Sequence, residues 1–297
     1  MNNIKEKLIK ALFDTKAIRV CPANQPFWYT SGKIGPYYIN THFLYGGEEK
    51  ANSLLQVIDT VKEKKEECPG VLYELVMKNY EEDRVYRSTI DALIDTIKKA
   101  IPGDDYDYIS GGERRDWFFS LAAAELLGKP HITIFKDLDA YIFRNRKSEK
   151  LISLNGAKVL HIADLITSAS SYERAWIPVI KNAGGNMKYS FVIIDRLQGG
   201  SELLEKLEVQ SNALVGIDGD VFKEAYDKKY IDKEQLEMVI KYIEDPDGFM
   251  EDFFLDNPDF IKNALNSDEK TASRARLCIE KGYCNISGTP SGLNLKD

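Results

Sequence analysis

"GAKVLHIADLITSASS", residues 156–171, is the stretch whose reading decides the fold. Its first half is an apolar run suited to a buried strand and ends at Asp164. Its second half supplies Thr167, Ser168, Ser170 and Ser171 around Ala169. A strand that runs into small hydroxylated residues and then opens a helix presents successive backbone N–H groups and hydroxyls at one place. Such a place attracts anions. The stretch therefore predicts a strand whose carboxyl end holds a small, negatively charged ligand.

Working outward, "YDYIS" (106–110), "HITIF" (131–135) and "YSFVIID" (189–195) repeat the apolar run. Helical patterns at 116–127 and 170–183 separate them, closed by Gly128 and by Gly184-Gly185. Apolar strands alternating with helices predict an α/β fold, a mostly parallel sheet flanked by helices. Ligands of such sheets bind beyond the carboxyl ends of the strands, where Gly111, Lys136, Asp164 and Arg196 fall. Ahead of the sheet, residues 3–18, 48–66 and 71–100 have helical periodicity, with "CPG" at 68–70 reading as a break. "FWYTSGKIGPYYIN" (27–40) reads as aromatic strand on each side of a turn. After about 245 the texture turns acidic, aromatic and Pro-punctuated. The expected organisation is one domain over 1–245 and a helical C-terminal appendage over 246–297, ending in the loose "SGTPSGLNLKD".

Composition narrows the function. Lys plus Arg number 40 against 47 Asp plus Glu, so the 297-residue chain carries −7 and lacks a global basic field for nucleic acid. No apolar run approaches the roughly 18 residues of a membrane span, and the expected location is the cytoplasm. Cys21, Cys68, Cys278 and Cys284 form no CxxC pair, which favours reduced, buried thiols over a disulfide framework or a zinc site. His161 lies within the apolar strand and reads as a hydrogen-bonded core residue. His42 and His131 have no metal-ligand spacing.

Residues 156–171 resemble the diphosphate-sugar signature of the type I phosphoribosyltransferases. Three further stretches follow the order of the orotate branch of that family. "ALFDTKAIRV…FWYTSGKIGPYYIN" is similar to its opening and small N-terminal hood, "YDYISGGERRDWFFSLAAAELLGKPHITIFKD" to its pyrophosphate loop, and "VIIDRLQGG" to the strand that reaches the base. Four motifs in order cover most of 8–245. Residues 68–100 have no counterpart and read as a helical insert.

The resemblance implies phosphoribosyl transfer from 5-phosphoribosyl 1-diphosphate to orotate or a related base, with Mg²⁺ and a homodimeric assembly. It implies that Asp164 and Lys136 serve the catalytic step. Asp164, Thr167, Ser168, Ala169, Ser170 and Ser171 would hold phosphate and ribose. Arg114, Arg115 and Lys136 would hold pyrophosphate, and Tyr37, Tyr38, Thr167 and Arg196 the base. Mg²⁺ would be carried mainly by the diphosphate sugar, with Asp164 as its protein contact. The chain also departs from the pattern. Ala163 stands for the first of two acids, Ala169 for a glycine, and Phe135 for an arginine. The family's mobile loop carries a lysine and a histidine, whereas "DLDAY" and the charged "RNRKSEK" stand here and read as a solvated loop. These departures keep a second reading open: a nucleotide or sugar-phosphate binding protein on the same fold.

Overall fold

The computed structural model describes residues 2–284. The chain begins with helix α1 (Asn2–Asp14), four short strands β1 (Ile18–Val20), β2 (Phe27–Trp28), β3 (Ile34–Gly35) and β4 (Tyr37–Ile39), and helices α2 (Glu48–Val61), α3 (Cys68–Glu82) and α4 (Arg84–Ala100). Next come β5 (Tyr108–Gly112), α5 (Trp117–Leu126), β6 (His131–Ile134), β7 (Ala140–Arg144), β8 (Lys147–Lys150) and β9 (Lys158–Ile166). Then follow α6 (Ile177–Asn182), β10 (Asn186–Asp195), α7 (Gly200–Lys206) and β11 (Gln210–Gly216). Helices α8 (Gly219–Asp227), α9 (Lys233–Glu244), α10 (Pro246–Asp256), α11 (Phe260–Leu265) and α12 (Glu269–Glu280) complete the described chain.

Contacts divide the chain into two compact units, one of residues 1–17 with 40–217, the other of 18–39 with 218–297. This division follows packing in space, where the boundary at 245 was drawn along the sequence.

The first unit is built on a seven-stranded sheet of order β11-β10-β9-β5-β6-β7-β8. Strands β11, β10, β9, β5 and β6 are parallel, and β7 and β8 are antiparallel additions at one edge. The mostly parallel sheet flanked by helices is the expected α/β architecture. Its core runs from Ile132 and Ile134 through Val159 and Ala163 to Val192 and Leu204. Helix α5, "WFFSLAAAEL", is apolar on every side, and its first eight residues are all buried. A helix apolar all round belongs in a core. His131 stands buried at the start of β6, with Nδ1 2.9 Å from Thr133 Oγ1 and Nε2 2.9 Å from Ser120 Oγ.

Two sequence expectations need correction. The "CPG" stretch opens α3, because Pro69 in a helix's first turn has no N–H to leave unpaired. The interruption comes instead at Asp83, whose carboxylate accepts the Val85 and Tyr86 N–H groups and caps α4. The segment read as a solvated loop, "RNRKSEK", is the turn and second strand of the β7–β8 hairpin. Asn145 and Arg146 both have positive φ (51° and 60°), the geometry that a two-residue hairpin turn requires. Arg146 holds its place by pairing with Glu74 and lying 4.9 Å over the Tyr73 ring.

In the second unit β1 pairs antiparallel with β4, and β2 with β3. Trp28 and Ile34 pack with Met250, Phe253, Phe254 and Ile261 of the C-terminal helices. Cys278 and Cys284 are buried there as free thiols, their sulfurs 3.2 Å apart. The tail "SGTPSGLNLKD" lies outside the described residues. Among the described residues no helix is long and apolar enough to cross a membrane.

Candidate functional site at the switch point of the sheet

Strand order places β5 and β9 side by side, yet their onward connections diverge. From β5 the chain goes through α5 to β6, and from β9 through α6 to β10 on the opposite side. Such a switch point opens a crevice beyond the strand ends. A cavity of about 400 Å³ lies there, walled by residues 113–116 after β5 and 163–172 on and after β9, with Trp176.

The loop after β9 turns through a left-handed residue at Ala169, where the resemblance has a glycine. Ala169 has φ +55° and is buried, and its carbonyl accepts the Tyr172 N–H at 3.0 Å. A left-handed alanine costs about 1 kcal/mol relative to glycine. Neighbours pay that cost: Arg174 donates to Ser170 O (3.2 Å) and Ser170 Oγ (3.3 Å), and Tyr172 Oη meets Ser190 Oγ at 2.7 Å. Behind the loop Gly200 packs so closely that an added Cβ would stand 2.6 Å from Thr167 O. Thr167 and Ser170 are half-buried, and Ser168 and Ser171 exposed.

Asp164 sits half-buried in the wall of the cavity. Removal from water pushes its carboxyl well above the usual carboxylate range, Asp116 adds to the rise, and Arg115 opposes it. Asp116 was missed by the sequence reading, which assigned its neighbours Arg114 and Arg115 to pyrophosphate and gave Asp116 no role. Its Oδ1 accepts the Asp164 N–H at 3.0 Å and its Oδ2 the Gly112 N–H at 3.0 Å, so one carboxylate ties both walls together. The only signal was its place immediately before α5.

The cavity thus gathers Asp164, Thr167, Ser168, Ala169, Ser170 and Ser171 with Arg114 and Arg115. Arg114 is engaged by Asp59. Four other candidates are not among its lining residues. Lys136 is exposed beside Glu113 and Phe135, in a separate pocket, with its N–H donated to Glu113 Oε2 at 2.9 Å. Arg196 follows β10 and bonds Ile166 O through its N–H at 3.0 Å, outside the cavity's lining. Tyr37 and Tyr38 lie in the second unit. There Tyr37 is buried, 5.0 Å from the Phe222 ring and 5.6 Å from that of Tyr242, and Tyr38 is half-buried, 6.0 Å from Phe27. A position at a strand end fixes where the backbone stops; it does not fix where the side chain points.

Two buried histidines give the unit a pH dependence. Burial lowers His131 to about 3, helped by His161, and lowers His42 to about 3, helped by Arg115 and then Arg114. Both are neutral when folded and take up protons when unfolded below about 6.5. Their stabilisation is therefore complete above pH 6.5 and is lost as pH falls toward 3. Each is expected to contribute a slope of about 1.4 kcal/mol per pH unit in that window. Urea midpoints measured from pH 7 to 5 test this; a flat profile would show these histidines to be solvated.

No protein-family model matches the chain. Among curated proteins it is 34% identical over 135 residues to "Orotate phosphoribosyltransferase" of Saccharolobus solfataricus, covering 44% of this chain and 65% of that one. It is 24% identical over 207 residues to the protein of the same name from Sulfolobus acidocaldarius, covering 68% and 79%. "Adenine phosphoribosyltransferase" of Bifidobacterium animalis is 29% identical over 170 residues, covering 52% and 86%. Among solved structures, Leishmania donovani UMP synthase superposes with a TM-score of 0.54 at 19% identity, over 80% of this chain and 41% of that one. Orotate phosphoribosyltransferase of Francisella tularensis gives 0.50 at 14%, over 79% and 96%. At such identities the structural likeness speaks for the fold alone. The stretches that resemble the diphosphate-sugar and pyrophosphate motifs nevertheless line one switch-point cavity, and the curated relatives are named phosphoribosyltransferases: the chain is similar to the phosphoribosyltransferases in sequence and in fold.

Proposed function

We propose that this chain binds 5-phosphoribosyl 1-diphosphate with Mg²⁺ and transfers its phosphoribosyl group to orotate or a related base, releasing pyrophosphate. One observation carries the reading. The hydroxylated loop 167–171, left-handed at Ala169, lines one cavity together with Arg115 and Asp164. Amides and hydroxyls suit a 5-phosphate, and an arginine fork suits a diphosphate. Carboxylate oxygens are the donors a hard divalent cation takes, and a raised Asp164 carboxyl is what a cation beside it would relieve. When bound, Mg²⁺ would supply charge neutralisation for the departing diphosphate. The chain's own residues orient: the loop anchors one end of the sugar, Arg115 the other, and Asp164 accepts from a ribose hydroxyl. The relatives named orotate phosphoribosyltransferase support the choice of base. A homodimer in the cytoplasm belongs to the same reading.

The exposed Lys136 and the position of Arg196 outside the cavity favour the second reading, a sugar-phosphate binding protein with weakened catalysis. Calorimetric titration with 5-phosphoribosyl 1-diphosphate and Mg²⁺, followed by an orotate turnover assay, separates the two. Binding near micromolar, about −8 kcal/mol, with turnover supports the enzyme. Binding without turnover supports the second reading, and no heat at several temperatures defeats both.

A further inference from the structure

Of the cavity-wall carboxylates that the family resemblance does not assign, Glu113 and Asp116, Asp116 is the one whose backbone contacts reach Asp164. It is almost fully buried, and each of its oxygens already accepts one backbone N–H at 3.0 Å. A carboxylate oxygen has room for two donors, so one acceptor direction remains on each. Beneath it His161, with no exposed surface, meets Ser110 Oγ through Nδ1 at 2.9 Å. Its other nitrogen, Nε2, has no hydrogen-bond partner and stands 3.6 Å from Asp116 Oδ2. Meanwhile the Ala163 side chain is packed in the core.

We infer that Asp116 and Asp164 act as a pair that accepts hydroxyl protons of a vicinal diol, making Asp116 a specificity-determining residue for ribose over deoxyribose phosphates. The inference rests on the proposed function only in taking the ligand to be a sugar phosphate. Two carboxylates side by side repel and lack donors, which is why Asp116 adds to the rise at Asp164. A ligand that fits them must bring at least two donors, and the loop 167–171 requires that it also bring an anion. A sugar phosphate with adjacent free hydroxyls satisfies both walls, and an inorganic phosphate satisfies one.

The test is calorimetry on the full chain with three probes: ribose 5-phosphate, 2-deoxyribose 5-phosphate and inorganic phosphate. The wild-type chain is expected to prefer the ribose compound by at least about 10-fold. Asp116→Asn, which exchanges an acceptor for a donor at constant shape and gives up one of the two backbone bonds, is expected to bring that ratio close to one while weakening inorganic phosphate much less than the ribose compound. A mere brace would move all three affinities together, and a variant that keeps the preference overturns the inference. Should the variant not fold, the wild-type chain still decides. Equal affinities for the two sugars overturn the pair, as does a soaked crystal with no ribose hydroxyl within reach of Asp116; a hydroxyl bonded to its carboxylate supports it. Failure of diphosphate binding or of orotate turnover would strike the proposed function and leave this comparison readable.

Discussion

Asp164→Asn is expected to weaken binding of 5-phosphoribosyl 1-diphosphate with Mg²⁺ by about 100-fold, or about 2.7 kcal/mol, without lowering the melting temperature. The carboxamide has the shape of the carboxylate, so the wall and the Asp164 N–H bond to Asp116 stay in place. What changes is chemistry: one oxygen becomes a donor, and the negative charge is gone. A hydrogen bond to a charged group contributes about 1.5–3 kcal/mol, and loss of a cation contact adds to that. Stability should move the other way, because the charge removed is one that burial and Asp116 both oppose. Titration calorimetry and a melting curve on the same preparation read the two effects separately. Unchanged binding would mean that the cavity does not hold the sugar diphosphate. A large fall in melting temperature would mean that Asp164 is structural.

Gly112→Ala is expected to destabilise the first unit by about 3 kcal/mol, near the upper end of overpacking effects, and to block the cavity. The new Cβ would overlap Cζ2 and Cε2 of the Trp176 ring and stand 2.9 Å from Cη2. Neither side can yield easily. Gly112 is paired in register with Ile134 of β6 and held by Asp116 Oδ2, and Trp176 is buried against the loop that carries Tyr172. A urea titration measures the loss, and Trp176→Phe in the same background should recover part of it by withdrawing the larger ring. If the pair of substitutions is simply additive, the close approach is not the cause.

The sequence conveyed the sheet well, because its strands are buried on both faces and appear as continuous apolar runs. Strand β9 was visible from Lys158, and "ITSASS" marked the loop that follows it. The hairpin was harder to see, since Asn145-Arg146 lacks the glycine that usually marks such turns and is held instead by Glu74 and Tyr73, some seventy residues away. Asp116 was invisible for a similar reason. Its partners Gly112 and Asp164 lie on different strands, and no local pattern announces a carboxylate that bridges them. Lys136 and Arg196 were placed from the strand ends alone; both do follow β6 and β10, and neither lines the cavity, Lys136 standing in a pocket with Lys62 and Lys65.

The β7–β8 hairpin also bears on colloidal behaviour. It makes β8 one open edge of the seven-stranded sheet, where unpaired N–H and C=O groups could template another strand. The sequence of that edge is Lys147, Ser148, Glu149, Lys150, all but Ser148 exposed. Charged side chains there resist the stacking of a second sheet edge, so concentrated solutions gain protection against fibril growth from four residues that make no contact with the cavity.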